Sequence, residues 1–586
     1  MTLFGALASL AAASGQVDQR STPAKARSAA GPAGPAAAGF VGSDVCARCH
    51  RGIFNSYSQT DMGRSMTTVD ATFLAKFQTT ASIFNARQNR HFEVFARDGK
   101  LYQSEYAVGT DGKDVFRNTQ QIEYLIGAGE NGVGGIVREG DYLYEAPLTY
   151  YAKIHGWDLS PGYEYGDYGF NRPILPGCVD CHSGRPQTIL DGNGRFGRPP
   201  FYELAVGCEK CHGPGKAHVE EQEGVSTASG AMVNPSKLSP WLADNVCMAC
   251  HQTGDARVLQ PGKNYSDIRP GDPLDTTLSI FMVPFDRSSP PQDDLLEHYL
   301  SMRLSKCYRN SGGRMSCITC HDPHVQPTKE EAPAYYKTTC LTCHTLKSCT
   351  AAPEVRQATI PPDNCIGCHM PKRNLQVISH SALTNHRIVA TLDEPFPDAA
   401  FQMTSSALPD LVQLSAAPGS DAAPPPLVLL DAYRQVMTKQ PEYRARYWAI
   451  AKQLESTQPT NISVLEALAD SAMHDGGDAG SAAAIRDLDL ARSLGSKVPA
   501  DYEQLAALLI ATGQRPEAVK VLRQGISVIP GDNQLYRMLA STYSYLADRR
   551  DACELLGTAI ERFPQDDDFR AQLSHCEDNR AAPPKQ

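Results

Sequence analysis

Apolar and polar positions along the chain follow three regimes. Between about residues 82 and 151 they alternate, in the runs HFEVFA, KLYQSEYAV, IEYLIG, GGIVRE and DYLYEAPL. A period of two marks strands with one buried face. Turn pairs at Asp98-Gly99, Asp111-Gly112 and Glu139-Gly140 separate the runs, so the pattern predicts a small antiparallel β insert. From about residue 427 the period lengthens to that of a helix and recurs every 34 residues. Leu505 and Leu539, Gly513 and Ala547, Ala518 and Ala552, and Pro530 and Pro564 occupy matching places. Small Ala518 and Ala552 allow close helix packing, and the prolines end the second helix of each pair. A weaker copy runs from about Ser463 to Val498 with Ala484 in register, and residues 427–459 read as a degenerate first pair. Stacked pairs of this kind bury a continuous core and leave a groove. Between these regimes the chain reads as short helical and irregular pieces. The clearest amphipathic helix there is DDLLEHYLSMRLSKC, with Leu295 and Met302 on its face.

Length and composition narrow the picture. The chain has 586 residues, enough for several domains at roughly 100–200 residues each. A net charge of −10 argues against nucleic acid as the main partner, because phosphate binding needs a basic footprint. No apolar run reaches the ~18 residues of a bilayer span. Residues 1–20 hold an alanine-rich apolar run from Leu3 to Ala13 with small residues through Gly15, which reads as the core and cleavage region of a secretory signal. The first positive side chain is Arg20, so the expected basic stretch lies upstream of Met1. Residues 21–39 and 401–426, rich in Ala, Gly, Pro and Ser, read as linkers.

The decisive feature is 18 cysteines with 16 histidines. Seven times the chain reads Cys-x-x-Cys-His: Cys46/Cys49/His50, Cys178/Cys181/His182, Cys208/Cys211/His212, Cys247/Cys250/His251, Cys317/Cys320/His321, Cys340/Cys343/His344 and Cys365/Cys368/His369. These are motifs one to seven below. The spacing is the attachment signal of a c-type haem. Two thiols add across the two vinyl groups of one porphyrin, so they sit one short turn apart, and the next residue places its imidazole under the iron. Zinc ribbons and redox Cys-x-x-Cys pairs do not require that histidine. Seven c-type haems are therefore expected. Motifs two to seven follow one another at 23 to 70 residues, so porphyrin rings should form much of the core between residues 40 and 400. Thioether attachment takes place outside the bacterial cytoplasmic membrane, which predicts a periplasmic or extracellular protein. In such an oxidising compartment Cys307 and Cys349 could pair as a disulfide, and Cys553 and Cys576 could pair or stay buried.

Irons used for electron transfer are usually six-coordinate, so each needs a distal ligand. Between residues 51 and 390 seven histidines lie outside the motifs: His91, His155, His218, His298, His324, His380 and His386. The strings CEKCHGPGKAH, CITCHDPH and CIGCHMPK, the last followed by HSALTNHRI, resemble those of cytochrome c554-type multihaem cytochromes, and the resemblance covers residues about 40–390. It implies that His218, His324, His380 and His386 are distal ligands, and that such a histidine can serve a neighbouring haem. His298, on its amphipathic helix, and His155, in AKIHGWDLSPGY, are further candidates. His91 sits in an alternating strand and reads as sheet surface. A histidine often found twelve residues after the first proximal one is replaced by Met62, whose thioether would raise that haem's potential. The C-terminal part resembles tetratricopeptide repeats, whose period it shares. The expected fold is thus a mainly α and irregular haem-packed cytochrome with a small β insert, followed by an α-solenoid over 427–580.

The combination implies electron transfer through seven haems, with redox proteins as partners and the repeats as a docking surface. Two other readings stay open. One is a multihaem oxidoreductase acting on a small nitrogen or sulfur compound at a five-coordinate haem, which needs nearby acid–base groups. No Cys-x-x-Cys-Lys motif is present. The other is self-assembly into a filament or scaffold.

Overall fold

The computed structural model describes residues 39–189, 193–227, 230–288, 290, 297–374, 380–401 and 408–581. The expected signal segment, most of the first linker and part of the second lie outside these residues. So does Leu295 of the expected amphipathic helix, which is described from His298 to Leu304.

The β insert is larger than the sequence pattern suggested. Nine strands form two antiparallel sheets: β1 (Met66–Thr68), β2 (Thr80–Asn85), β3 (Arg90–Arg97), β4 (Lys100–Val108), β5 (Asp114–Ile122), β6 (Tyr124–Ile126), β7 (Gly132–Glu139), β8 (Tyr142–Tyr151) and β9 (Gly156–Leu159). The sheet orders are β1-β6-β7-β8-β9 and β2-β3-β4-β5. The five alternating runs fall in β3 to β8. The Asp98-Gly99 turn adopts positive φ at both residues (52° and 73°), the backbone a two-residue hairpin needs. Pattern reading missed β2 and most of β5, because β2 alternates exposed and half-buried residues and β5 is largely exposed. Phe92, Val94, Leu101, Ile122, Val133, Leu148 and Trp157 fill the space between the sheets. Two inward positions on β4 are polar. Gln103 is fully buried; its amide donates to the Leu148 carbonyl (2.8 Å) and accepts from the Leu148 N–H (2.9 Å), bridging the sheets.

Residues 160–400 are short helices and small sheets. β10 (Arg185–Thr188) pairs with β11 (Phe196–Glu203), and β14 (Lys372–Asn374) with β15 (Ala382–Thr384). β12 (Ala256–Leu259), β13 (Leu278–Met282) and β16 (Val412–Gln413) form a third small sheet. The second linker is therefore shorter than expected: Leu411, Leu414 and Ser415 are buried beside that sheet. Edge pairing to β13 explains why a Ser/Ala/Pro-rich stretch is ordered there.

From Pro426 the chain is helical, in pairs: Pro426–Val436 with Arg444–Leu454, Ile462–Asp475 with Gly477–Ser493, Pro499–Ala511 with Arg515–Val528, and Asn533–Tyr545 with Arg549–Arg562, closed by Asp567–Ala581. Leu505, Ala518, Leu539, Ala552 and Ala484 are all buried at their repeat positions, so this part is an α-solenoid of tetratricopeptide-like pairs. Cys553 and Cys576 form a disulfide across the last two helices. The first pair packs Val428, Leu430 and Tyr447 against Ala256, Val258 and Phe281 of the third small sheet. The far end folds back onto the β unit. Arg562 donates to the Tyr144 hydroxyl (2.5 Å) and pairs with Glu139 (2.8 Å), while Arg90 of β3 donates to the Gln565 carbonyl (2.7 Å) and pairs with Asp567 (3.2 Å). No helix among the described residues is long and apolar enough to cross a membrane.

Candidate functional site

Each Cys-x-x-Cys-His segment lies in a short helix or tight turn. In motifs one, five and six the histidine N–H donates to the carbonyl of the first cysteine (2.9, 3.1 and 3.0 Å), so one turn of helix spans both thiols and aims the imidazole beside them. Motif two lies in helix Pro176–His182, three in Cys208–His212, four at the end of Pro240–His251 and seven in Cys365–His369.

The segments touch one another. The Cys46 thiol hydrogen-bonds Cys208, Cys181 bonds Cys250, and Cys247 bonds Cys317. In each pair the shared bond splits the two thiols, while burial pushes both up. Cys208 and Cys181 fall to about 7 and Cys247 falls, whereas Cys46, Cys250 and Cys317 rise. Cys211 faces Cys247, Cys320 faces Cys343, and Cys340 faces Cys365. Motifs one, three, four, five, six and seven thus form a contiguous series, and motif two lies beside four.

Four motif cysteines depart from the expected buried core. Cys49, Cys178, Cys343 and Cys368 are exposed free thiols, whereas their motif partners Cys46, Cys181, Cys340 and Cys365 are half-buried. Cys46 and Cys181 turn toward Cys208 and Cys250, and Cys340 and Cys365 toward each other, so in each of these motifs one thiol meets a neighbouring segment and the other is left at the rim.

The residues between the cysteines hold this series together, which sequence reading did not anticipate. Asp180 of motif two and Lys210 of motif three form a buried ion pair at 2.6 Å. Glu209 of motif three accepts the N–H groups of Val41, Gly42 and Gly215 at 2.7–2.9 Å, tying motif three to the entry of motif one. On helix Pro240–His251, Asp244 accepts the Cys317 N–H at 2.8 Å, joining motifs four and five.

Histidines from different segments meet across the series. His50 and His218 have ring centroids 6.5 Å apart with planes within 22°, and His212 and His324 lie 5.9 Å apart within 7°. His251 and His298 are 5.4 Å apart, His321 and His386 6.1 Å, and His298 and His386 4.6 Å. Burial, helped by neighbouring imidazoles for His298, lowers His298 to about 3 and His386 to about 4, so both are neutral at pH 7. His212, His369 and His386 each hold a backbone carbonyl with Nδ1 (Val233, Val389 and Thr384, at 2.7–2.9 Å). That bond sets the tautomer with the proton on Nδ1 and leaves Nε2 as an electron-pair donor. Glu297 positions His298: its carboxylate accepts from the Gln252 amide (2.7 Å) and the Thr253 and Gly254 N–H groups, pinning this helix start to the turn after motif four.

The remaining candidates sit differently. His155 is exposed in the β8–β9 turn, whose Lys153 bonds Asn374 after motif seven (2.9 Å). His380 directs Nε2 at Asp158 (2.8 Å) and packs edge-on to Tyr151. The carbonyls of Met62 and His182 accept from the same Ser65 hydroxyl (2.8 Å each), so Met62 lies beside motif two. His91 stacks on Tyr106 on the sheet surface. The Cys307–Cys349 disulfide does not form: both are free thiols, and Cys307 faces Cys320 and Cys343 while Cys349 faces Cys365. The helix Lys306–Asn310 places Cys307 beside motifs five and six.

No protein-family model matches the chain, and no curated protein does. Solved structures with local likeness include MamA (18% identity, 24% of this chain and 84% of that chain, TM-score 0.19). A thermophilic TPR protein of Thermus thermophilus is another (15% identity, 26% and 90%, TM-score 0.20). A third is the human IFIT1 dimer with m7Gppp-AAAA, where the chain spans about a third of the matched protein (19% identity, 24% and 32%, TM-score 0.20).

Proposed function

We propose that this chain is an exported electron carrier holding seven c-type haems, one at each Cys-x-x-Cys-His segment, with its helical array serving as a protein-binding scaffold. The observation that carries the reading is the meeting of imidazoles from different segments. Two imidazoles that would hold one metal ion between them, each through a bond of about 2 Å, would have ring centroids about 6 Å apart. His50/His218, His212/His324 and His321/His386 fall at 5.9–6.5 Å, and His251/His298 is slightly closer. The 4.6 Å between His298 and His386 is too short for such a pair and fits two distal rings packed side by side. The cysteines of each segment would hold the porphyrin; His50, His182, His212, His251, His321, His344 and His369 would be proximal ligands, and His218, His298, His324 and His386 distal ones. When bound, haem supplies a one-electron couple at its iron. The chain's own part is to hold the segments in contact, through Asp180–Lys210, Glu209 and Asp244, and to keep the ligand imidazoles neutral. The Cys553–Cys576 disulfide agrees with an oxidising compartment outside the cytoplasm.

Counting covalently attached haem per chain by its pyridine haemochrome tests the reading: seven are expected, and none would end it. Electron paramagnetic resonance of the oxidised protein then sorts the irons. Wholly low-spin signals, unchanged optically by carbon monoxide after reduction, are expected of a pure carrier. A second reading, an oxidoreductase acting on a small nitrogen or sulfur compound, draws on one observation: among the described residues no second imidazole ring stacks on His182, His344 or His369, whereas the other four proximal histidines each meet one. One high-spin iron that binds carbon monoxide would favour it.

A further inference from the structure

Charge is distributed unevenly over this acidic chain. Residues 298–374, which carry motifs five to seven, hold ten Lys and Arg against five Asp and Glu, whereas the whole chain holds 55 against 65. Several of these cations are neutralised locally. Lys306 pairs with Glu394, Lys329 with Glu130, and Lys337 and Arg356 with Asp363. Arg309, Arg314 and Lys347 are exposed and have no carboxylate partner among the described residues. They lie on the segments that carry motifs five and six, and Arg314 precedes Cys317 of motif five by three residues. Arg309 is on the helix Lys306–Asn310, whose Cys307 faces Cys343 of motif six; Arg314 lies in the turn leaving that helix; Lys347 follows His344 by three residues. Motif six is also open to solvent, with every residue from Leu341 to Ser348 exposed.

We propose that the surface at motifs five and six, which carries Arg309, Arg314 and Lys347, is where an acidic electron-transfer protein docks. The inference rests on the electron-carrier reading and names the partner's chemistry. Positive charge beside an exposed redox site steers a negative partner over a small contact, and charge complementarity raises the encounter rate more than the affinity. The rest of the surface, being net negative, repels the same partner and so narrows its approach to this face. Transient redox complexes are of this small, polar kind.

The test uses the full, haem-loaded chain and stopped-flow reduction by dithionite-reduced plant-type ferredoxin, an acidic [2Fe–2S] protein. Each cluster gives up one electron and one ferric haem becomes ferrous; the cluster potential of about −400 mV makes that transfer downhill to most c-type haems. The variant R309E/R314E/K347E is expected to lower the second-order rate about tenfold at low ionic strength and to remove the fall of rate with added salt. The rate with duroquinol, a neutral reductant, should not change. A control reversal on the β unit, K100E/K113E, should have little effect. An unchanged ferredoxin rate, or a loss no larger than the control's, overturns the docking site. So does an equal loss with duroquinol, which would mean a damaged haem. Haem is counted first in both chains. A haem-free wild-type chain overturns the electron-carrier reading and the docking site together, whereas a loaded chain that fails the rate test overturns the docking site alone.

Discussion

Gly513 and Ala547 occupy the same turn in successive repeats, and both adopt a left-handed backbone (φ 82° and 59°). Glycine takes that conformation without penalty, whereas an L side chain loses about 1–2 kcal/mol there. Ala547→Gly should therefore raise stability by about 1 kcal/mol, and Gly513→Ala should lower it by a similar amount, read from the midpoint of denaturant unfolding. The histidines give a second prediction at this scale. If His218 and His324 each serve one iron, His218→Ala and His324→Ala should each turn about one low-spin haem in seven high-spin, and the double variant should turn two. Magnetic resonance integration reads the count. A single substitution that changes two irons, or none, would break the pairing. Sequence alone supplied the ligand candidates but not the partners, because ring-to-ring geometry depends on which segments pack together.

Helix pairs carry an unusual element of their own. Glu466, on helix Ile462–Asp475, faces Asp501 on Pro499–Ala511. Burial, then the neighbouring Asp501 carboxylate, pushes Glu466 up to about 8, so the pair shares one proton at neutral pH. A carboxyl group whose pKa is higher folded than unfolded binds more protons in the native state. Its stability contribution is then full below about pH 4.5, is lost as pH rises toward 8, and is level beyond. Glu466→Gln keeps a neutral donor for Asp501 at every pH. Its thermal midpoint should match the parent's near pH 5 and exceed it above pH 8, by on the order of 2 kcal/mol in free energy. Equal pH slopes in the two proteins would contradict the shared proton. The 34-residue period was legible here because buried small residues recur in it. The carboxyl pair was not legible, since nothing in a linear pattern says which polar face meets which.

At the scale of the whole molecule, the repeats are fastened at both ends to the rest of the chain. Arg90 is the main tie. Its side chain is 9% exposed and sits between Asp167 (3.0 Å), Asp567 (3.2 Å) and the fully buried Glu105 (3.8 Å). Burial pushes the Glu105 carboxyl well above the usual range, and Asp167 adds to this. Arg90→Ala strands those carboxylates, so a loss of about 3–5 kcal/mol is expected. Release of the array from the β unit should appear as faster hydrogen exchange over residues 562–570 and in β3. Unaltered exchange there would mean that Arg562 with Tyr144 and Glu139 suffices to hold the contact. Part of the repeat surface that the sequence offered to partners is thus occupied by the chain's own β unit.

The chain's linear order determined the features that rest on spacing and period. The Cys-x-x-Cys-His segments, the strands β3, β4 and β6 to β8 and the helix pairs follow from residues that are neighbours, or nearly so, along the backbone. Contacts between distant segments were decided by the tertiary structure alone. Cys46 beside Cys208, His212 beside His324, Asp180 on Lys210, the strand that ordered part of the second linker, and Arg90 on Asp567 all depend on packing over tens to hundreds of residues. The same packing left Cys49, Cys178, Cys343 and Cys368 at the surface and their motif partners half-buried, although all seven motifs are identical in pattern. A local pattern records only which face of an element is apolar, and the partner of that face is fixed by the closing of the whole core.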